Sequence, residues 1–569
     1  MTVQLSHVVA AVATAVSIVA LSATAQGQQL PGSVTPGQIE KQFRPPPEPR
    51  PTDEPVVTPG LEPAKPPSGA ENVRLTLTGV VVEGATVFTA ADFAPLYRDL
   101  LGKEVSLKQI YDIAAAITAK YGKAGYTLAV ALVPAQRIRS GIVRIQVIEG
   151  YVDQTFIKSE DGKDITQPQL RAYLAKIAAA RPLKQEDLER YLLLANDLPG
   201  VKARAVLAPA DTPGASNLTL IVNEKLADGY AGFDNLGSQF IGPYQGTFAM
   251  SFNNVLGLSE RTGIRFINTA PLWNLHYWEI NHQQQIGNEG TRANFIALFS
   301  QAHPGSTLEQ FDIQSTNFTG SAQIYHPFIR SRAENLALGG RFDFEQLDST
   351  TFGQLLTSDR LRVLRGVVNY DFVDTPFSLV AVNLIAVELS QGLGVFGATG
   401  PNTSNVSRPD MSSNFTKATF DVSRNQSLSE KFTLLVAARG QYAVDILPAS
   451  EEFGFGGPYF GRGYDPSEII GDHGLAGKVE LQYTERDCVK DWIKACQFYG
   501  FLDTGWVWNR APLAGQPASQ NGVSVGGGVR LNLTDYLSGY VELDIPLVVV
   551  DSPQRSSGPR VFFSLLIPF

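Results

Sequence analysis

The sequence is poor in groups that do chemistry. Among 569 residues there are only two cysteines, Cys488 and Cys496, and six histidines without metal-ligand spacing, so no zinc or other metal site is expected. No nucleophile elbow, nucleotide loop or carboxylate pair stands out, which argues against an enzyme, catalytic residues or a cofactor. Basic patches are also missing: net charge is -9 with both signs interspersed, so nucleic acid is not an expected partner. Beyond the first thirty positions no apolar run is long enough for a helical membrane span, although 44% of residues are hydrophobic. Apolar residues spread this way, with 52 glycines, 35 prolines and few charges, favour β structure.

The length implies several folding units. Residues 8–21 are apolar and precede Ala23-Thr24-Ala25, a small-x-small cleavage pattern, so residues 1–25 read as a signal peptide. Its n-region has no Lys or Arg, but the stretch is shorter than the ~20 residues a membrane anchor needs. In an exported chain Cys488 and Cys496, separated by VKDWIKA, are readily oxidised to a disulfide that pins a local loop. Residues 26–72 are proline-rich, as in RPPPEPRPTDEP, and form a semi-stiff tether. Within it SVTPGQIEKQF predicts a short helix over about 35–44, capped by Thr35, with Pro36 at the first helical position and too short to persist without a tertiary partner.

Residues 73–225 repeat the order strand, helix, helix, strand, strand, giving two α+β units at 73–150 and 151–225. In the first, VRLTLTGVVVEG reads as a strand, a helix opens at Thr89, a longer one opens at Ser106, and TLAVALVPAQ and GIVRIQVIEG follow as strands. The second unit has a helix from Thr166 and another in KQEDLERYLLLANDL.

From 226 to 569 helical periodicity gives way to alternation. In LAGKVELQYTE, Leu475, Val479, Leu481 and Tyr483 oppose Lys478, Glu480 and Gln482; LSGYVELDI sets Val541 and Leu543 against Glu542 and Asp544. Such segments suit a soluble sandwich or a membrane barrel. About sixteen of them, several long enough to cross a bilayer at a tilt, favour an antiparallel transmembrane barrel, and an even number closes the sheet without an edge. The chain ends RVFFSLLIPF, alternating up to the terminal Phe569, which resembles the recognition signal of outer-membrane barrels. Trp506 and Trp508, with Tyr499, read as an aromatic girdle, and His276 and His282 as interface or lumen residues.

The stretch FGFGGPYFGRGYDP, 453–466, could be a phosphate cradle, a strand-rich turn or a mobile loop held by its one arginine, Arg462. No helix follows the glycines at 526–528 either, so these read as barrel-curvature positions.

Signal peptide, tethered helix, paired α+β units and barrel together resemble the TpsB transporters of two-partner secretion. The motifs are LVPAQ at 132–136, VIEGYV at 147–152, LLLANDLPGV at 192–201, DNLGSQFIG and NNVLGL at the barrel start, FGRGYDP at 460–466 and FLDTG at 501–505. The resemblance implies two POTRA domains followed by a 16-stranded antiparallel transmembrane β-barrel in the outer membrane of a Gram-negative bacterium, with the POTRA domains in the periplasm. It implies an unfolded TpsA-type exoprotein, an adhesin or haemolysin, as client, received at the second-strand and helix edges of the POTRA domains and possibly activated as well as exported. Outer-membrane lipid and lipopolysaccharide would surround a monomer. The loop 445–473, between strands eleven and twelve, would fold inward with Arg462, Gly463 and Tyr464 latched to Asp503 of strand thirteen, where Phe501 and Gly505 flank it. The usual motif has valine where this chain has Gly461, which would make the tip more mobile. The tethered helix, with Pro36, Ile39 and Phe43, would plug the pore. Cys488 and Cys496 would fall in the periplasmic turn after strand twelve. A barrel-assembly insertase is the alternative; two α+β units and a plug helix argue against it, and a diffusion porin would not need 73–225.

Overall fold

The computed structural model describes residues 30–49, 65–160, 162, 165, 167–489, 492–512, 516–534, 536–552 and 556–569; the expected signal peptide, the middle of the tether and Thr166 lie outside these.

The first α+β unit has a three-stranded sheet in which Ile142–Ile148 runs between Gly79–Glu83, parallel to it, and Val130–Leu132, antiparallel. Alternation in IVRIQVI buries Val143, Ile145 and Val147 under the helix Leu107–Lys123, whose face of Ile110, Ile113, Ile117 and Tyr121 meets them. Ser106 caps that helix, with the Gln109 carboxamide accepting from the Ser106 amide at 2.8 Å. The expected single strand at 73–84 is broken: Arg74–Thr76 pairs with Glu104–Ser106, and only Gly79–Glu83 joins the main sheet. TLAVALVPAQ likewise contributes only Val130–Leu132. Glu149 of VIEGYV ties the unit together. Burial pushes its carboxyl upward, but hydrogen bonds from the Thr86 hydroxyl, Tyr121 Oη (2.6 Å) and the amides of Val87 and Thr86 outweigh this and hold it below the usual carboxylate range.

The second unit repeats the order. Tyr151–Ser159 is parallel and Val201–Pro209 antiparallel to the central Ala215–Glu224, over helices Pro168–Ala179 and Gln185–Asn196. Its helices rest on the barrel rim, where Asp197 accepts from Nε and Nη2 of Arg330, both at 2.9 Å, and also pairs with Arg292 at 3.1 Å. Lys176 meets Glu289 at 2.8 Å. Glu289 lies in the turn after the fourth strand, Arg292 just beyond it at the start of the fifth, Thr291–Ala302, and Arg330 ends the sixth, Ile313–Arg330, so the turns after even-numbered strands lie on the side of the α+β units.

Sixteen antiparallel strands close into a barrel, the first, Ala227–Asp234, pairing with the last, Arg560–Pro568. The terminal Phe569 extends this seam, exchanging backbone bonds with Gly229 at 2.9 and 3.1 Å. Burial is reversed relative to a soluble sandwich: Leu475, Val479, Leu481, Val541 and Leu543 are all exposed, while Glu480, Glu542 and Asp544 are buried. Only an apolar solvent outside explains that sorting.

Three expectations change here. Trp506 and Trp508 face outward, but Tyr499 has the opposite parity and is buried in the lumen with Arg530 3.7 Å from its ring centroid, so it belongs to no girdle. Cys488 and Cys496 are joined, with Cα atoms 6.1 Å apart, but they lie in the strand ends and not in the turn, because the twelfth strand, His473–Val489, and the thirteenth, Ile493–Trp508, continue past them. His276 and His282 share the outward parity of Trp278 and Ile280, towards the two ends of the fourth strand, Leu275–Ile286; this suits the membrane interface and not the lumen.

Candidate functional site

The segment between the eleventh strand, Phe432–Ala443, and the twelfth turns into the barrel. It forms a small hairpin, Phe453–Phe455 with Ile469–Gly471, and its rings Phe453, Phe455, Phe460 and Tyr464 pack with Ile469 against Ala476 and Val507 of the wall. Gly505 makes room: a Cβ there would stand 2.3 Å from the Phe455 ring.

Between the two hairpin arms the tip carries Arg462, which is 6% exposed, onto Asp503, which is fully buried. Nε and Nη2 of Arg462 donate to the two oxygens of Asp503, each at 3.0 Å, and the amides of Gly461 and Arg462 add two further bonds at 3.1 Å. The remaining nitrogen, Nη1, donates to Glu480 at 2.7 Å and Glu542 at 3.2 Å. Phe501 lies under the guanidinium, its centroid 3.3 Å from Cζ. The planar fork, the two amides and the ring together satisfy an arginine that burial would otherwise make costly. Gly463 passes close to the wall, where a Cβ would be 2.9 Å from Ser524 Cβ, and Tyr464 Oη donates to Val548 O at 2.7 Å while accepting from Val523 N at 3.0 Å.

Gly461 corrects an expectation. Its φ of +79° and the Phe455 ring 2.6 Å from a would-be Cβ exclude valine without rearrangement, and its backbone turn is what aims two successive amides at Asp503. The glycine tightens the tip.

The tethered helix lies in the lumen against the same loop. It is one turn, Gln38–Lys41, shorter than 35–44, and Gly37 (φ +87°), not Thr35, precedes it, its amide held by Glu40 at 2.5 Å. Thr35 instead donates to Pro31 O at 3.0 Å, and Pro36 sits in the turn before the helix. Gln38 Nε2 donates to Ala449 O at 2.7 Å and Glu452 O at 3.0 Å, and Lys41 Nζ to Glu452 O at 2.7 Å. Ile39 packs among Val34, Phe240, Ile241 and Leu275, and Phe43 meets the Tyr277 ring edge-on at 5.1 Å.

Two groups around the loop were not singled out from sequence. Glu480 and Glu542 sit on charged strand faces that alternation assigns to the lumen, a signal that could have found them. Arg408, fully buried and bonded to Asp472 at 2.6 and 3.0 Å and to Leu447 O at 2.9 Å, fastens the loop's base from a connecting segment without any pattern.

A closed barrel with an inward loop and helix in its lumen, and α+β units at one rim, defines an outer-membrane conduit of the POTRA-plus-barrel class. The chain belongs to the haemolysin secretion/activation protein family ShlB/FhaC/HecB, whose model matches residues 214–531, and a ShlB-type POTRA domain matches residues 75–150. It is similar to the heme/hemopexin transporter protein HuxB of Haemophilus influenzae, 24% identical over 395 residues, covering 69% of each chain. It is also similar to the outer membrane transporter CdiB of Escherichia coli, 23% identical and covering 87% of this chain and 82% of that one. The hemolysin transporter protein ShlB of Serratia marcescens is 24% identical, covering 73% of each. The solved structure of CdiB from Escherichia coli superposes with a TM-score of 0.72 at 21% identity, covering 89% of this chain and 92% of that one, and so has the same fold. This chain is therefore an outer-membrane transporter of two-partner secretion, with its POTRA domains in the periplasm and an exported protein as its partner.

Proposed function

We propose that the chain exports a large TpsA-type exoprotein, an adhesin or haemolysin, unfolded, through its barrel, and that the loop and helix in the lumen mark its closed form. Residues 73–225 receive the client, residues 226–569 form the conduit, and residues 26–72 hold the plug and its tether. In each α+β unit the second strand, Val130–Leu132 or Val201–Pro209, pairs on one side only, and an extended client can add there through backbone bonds that tolerate any sequence. In the second unit the helices are engaged with the barrel rim, which favours the strand edge as its receiving site. The transporter works as a monomer, without catalysis, its outward face in lipid and lipopolysaccharide.

The observation that carries this reading is Arg462 fixed to Asp503 of the barrel wall, with the helix Gln38–Lys41 lying on the same loop. Loop and helix together obstruct the passage, so secretion requires both to move. Arg462→Ala removes the fork and leaves three carboxylates facing one another, a loss of about 3–5 kcal/mol at the loop tip. The expected result is a folded, heat-modifiable barrel with client release cut at least severalfold; wild-type release from that variant would refute the role of Arg462.

A further inference from the structure

The loop tip carries a second charge, of opposite sign. Asp465 is 3% exposed, and its Oδ1 lies 2.5 Å from Nη2 of Arg560, the first residue of the sixteenth strand. Its Oδ2 accepts from the Gln239 amide at 3.3 Å. The tip is therefore tied at two places on the wall, by its arginine to the thirteenth strand and by its aspartate to the sixteenth.

Arg560 has another acid at hand. It stands directly across the ladder from Asp544 of the fifteenth strand, Leu537–Pro546. Residues facing each other in an antiparallel ladder have Cβ atoms about 5 Å apart, well within the reach of an arginine side chain. Asp544 is completely buried, and no cation or other nitrogen donor reaches either of its carboxyl oxygens. It meets Glu542, next on the same inward face and itself an acid, in a hydrogen bond for which one of the two carboxyls must supply the proton. Gly526, its ladder neighbour on the fourteenth strand, Ser519–Thr534, presents only backbone, and the Arg462 side chain is committed to Asp503, Glu480 and Glu542. Arg462, Asp465, Glu542, Asp544 and Arg560 line one small cleft.

Two buried carboxyls side by side cannot both ionise without a cation, so this pair is a costly arrangement. Here the cation that would satisfy it is adjacent and occupied by the loop. We propose that Arg560 exchanges Asp465 for Asp544 when the loop leaves the wall, so that Asp544 is a positioning residue that receives the arginine in the released state. The exchange needs only side-chain rotation, since the two strands already hold Arg560 and Asp544 in register. It lowers the cost of release: in the closed form Asp544 is confined to an acid–acid contact with Glu542, and the new ion pair stabilises the open one. The inference rests on the proposed reading that the loop withdraws during secretion.

Single-channel recording of the full-length chain in planar bilayers tests it, with heat-modifiability as the folding check. Asp465→Asn frees Arg560 and should raise the frequency of wide openings about tenfold, the low end for a hydrogen bond to a charged group. Asp544→Asn removes the receiving carboxylate, should lower that frequency by a similar factor, and should slow secretion. In an Arg560→Gln background Asp544→Asn should have no further effect, because it acts through the arginine. The exchange is overturned if both single variants shift openings in the same direction, if Asp544→Asn leaves them unchanged, or if its effect persists undiminished beside Arg560→Gln. Should Asp544→Asn fail to give a heat-modifiable barrel, Asp465→Asn alone decides, and no rise in openings overturns the exchange. Arg462→Ala separates the two ideas. If it leaves openings unchanged, the loop reading falls and the exchange falls with it; if it raises them while Asp465→Asn does not, only the exchange is lost.

Discussion

At the level of single residues, Gly461 shows how a departure from a family motif can be read with the wrong sign from sequence. A glycine in place of valine suggests a looser tip, because glycine has more freedom in the unfolded chain. The backbone at +79° makes that freedom a requirement, since a β-branched residue in the left-handed region is strained by about 1–2 kcal/mol before its contact with Phe455 is counted. Gly461→Val should therefore loosen the latch without touching Arg462. Hydrogen exchange of the amides of Gly461's neighbours in the tip should speed up, and closed-state conductance should rise. Equal protection in the valine variant would show that the two-amide grip on Asp503 contributes nothing.

At the level of elements, the lumenal helix has almost no stability of its own. One turn cannot offset the cost of helix nucleation, so Gln38–Lys41 is helical because the barrel and loop hold it. The sequence signals a helix of two turns from Thr35 because Pro36 suits a first helical position. Glycine at 37 wins, turning the chain just before the helix and leaving Glu40 to satisfy the first amide. Three of the helix's polar contacts end on backbone carbonyls of the segment Ala449–Glu452, so plug and loop share a surface. Deleting residues 32–44 should raise single-channel conductance; unchanged conductance would remove the obstruction assigned to the helix. Gln38→Ala, which forfeits the bonds to Ala449 and Glu452, should give more frequent brief openings at unchanged barrel stability.

For the molecule as a whole, the sequence discloses faces better than neighbours. Alternation in LAGKVELQYTE and LSGYVELDI correctly separates lipid-facing Leu475 and Val541 from lumenal Glu480 and Glu542, and the segment count gives a closed barrel of sixteen strands. It does not say that Glu480 and Glu542 converge on Arg462, since that depends on how a closed sheet brings the twelfth, thirteenth and fifteenth strands around one loop. Asp503 was legible only through the FLDTG motif. The docking of the second α+β unit was not legible at all: Asp197 ends a helix within LLLANDLPGV, a motif that marks the unit and not its partner, and Arg330 and Arg292 lie about a hundred residues away on strands whose periodicity names no partner. On the proposed reading, that junction aligns the client-receiving unit with the pore mouth. Asp197→Ala leaves two largely buried arginines without their acid, a loss of about 3 kcal/mol at the junction, while the barrel's own hydrogen bonds are untouched. Barrel heat-modifiability should therefore stay at the wild-type value, exchange at the rim turns 287–290 and 331–333 should accelerate, and secretion should fall although the strand edges proposed to receive the client are intact. If rim protection and secretion both persist, Lys176 paired with Glu289 and Arg190, which donates to Pro327 O at 3.0 Å, suffice to hold the unit, and Asp197 is not the clamp.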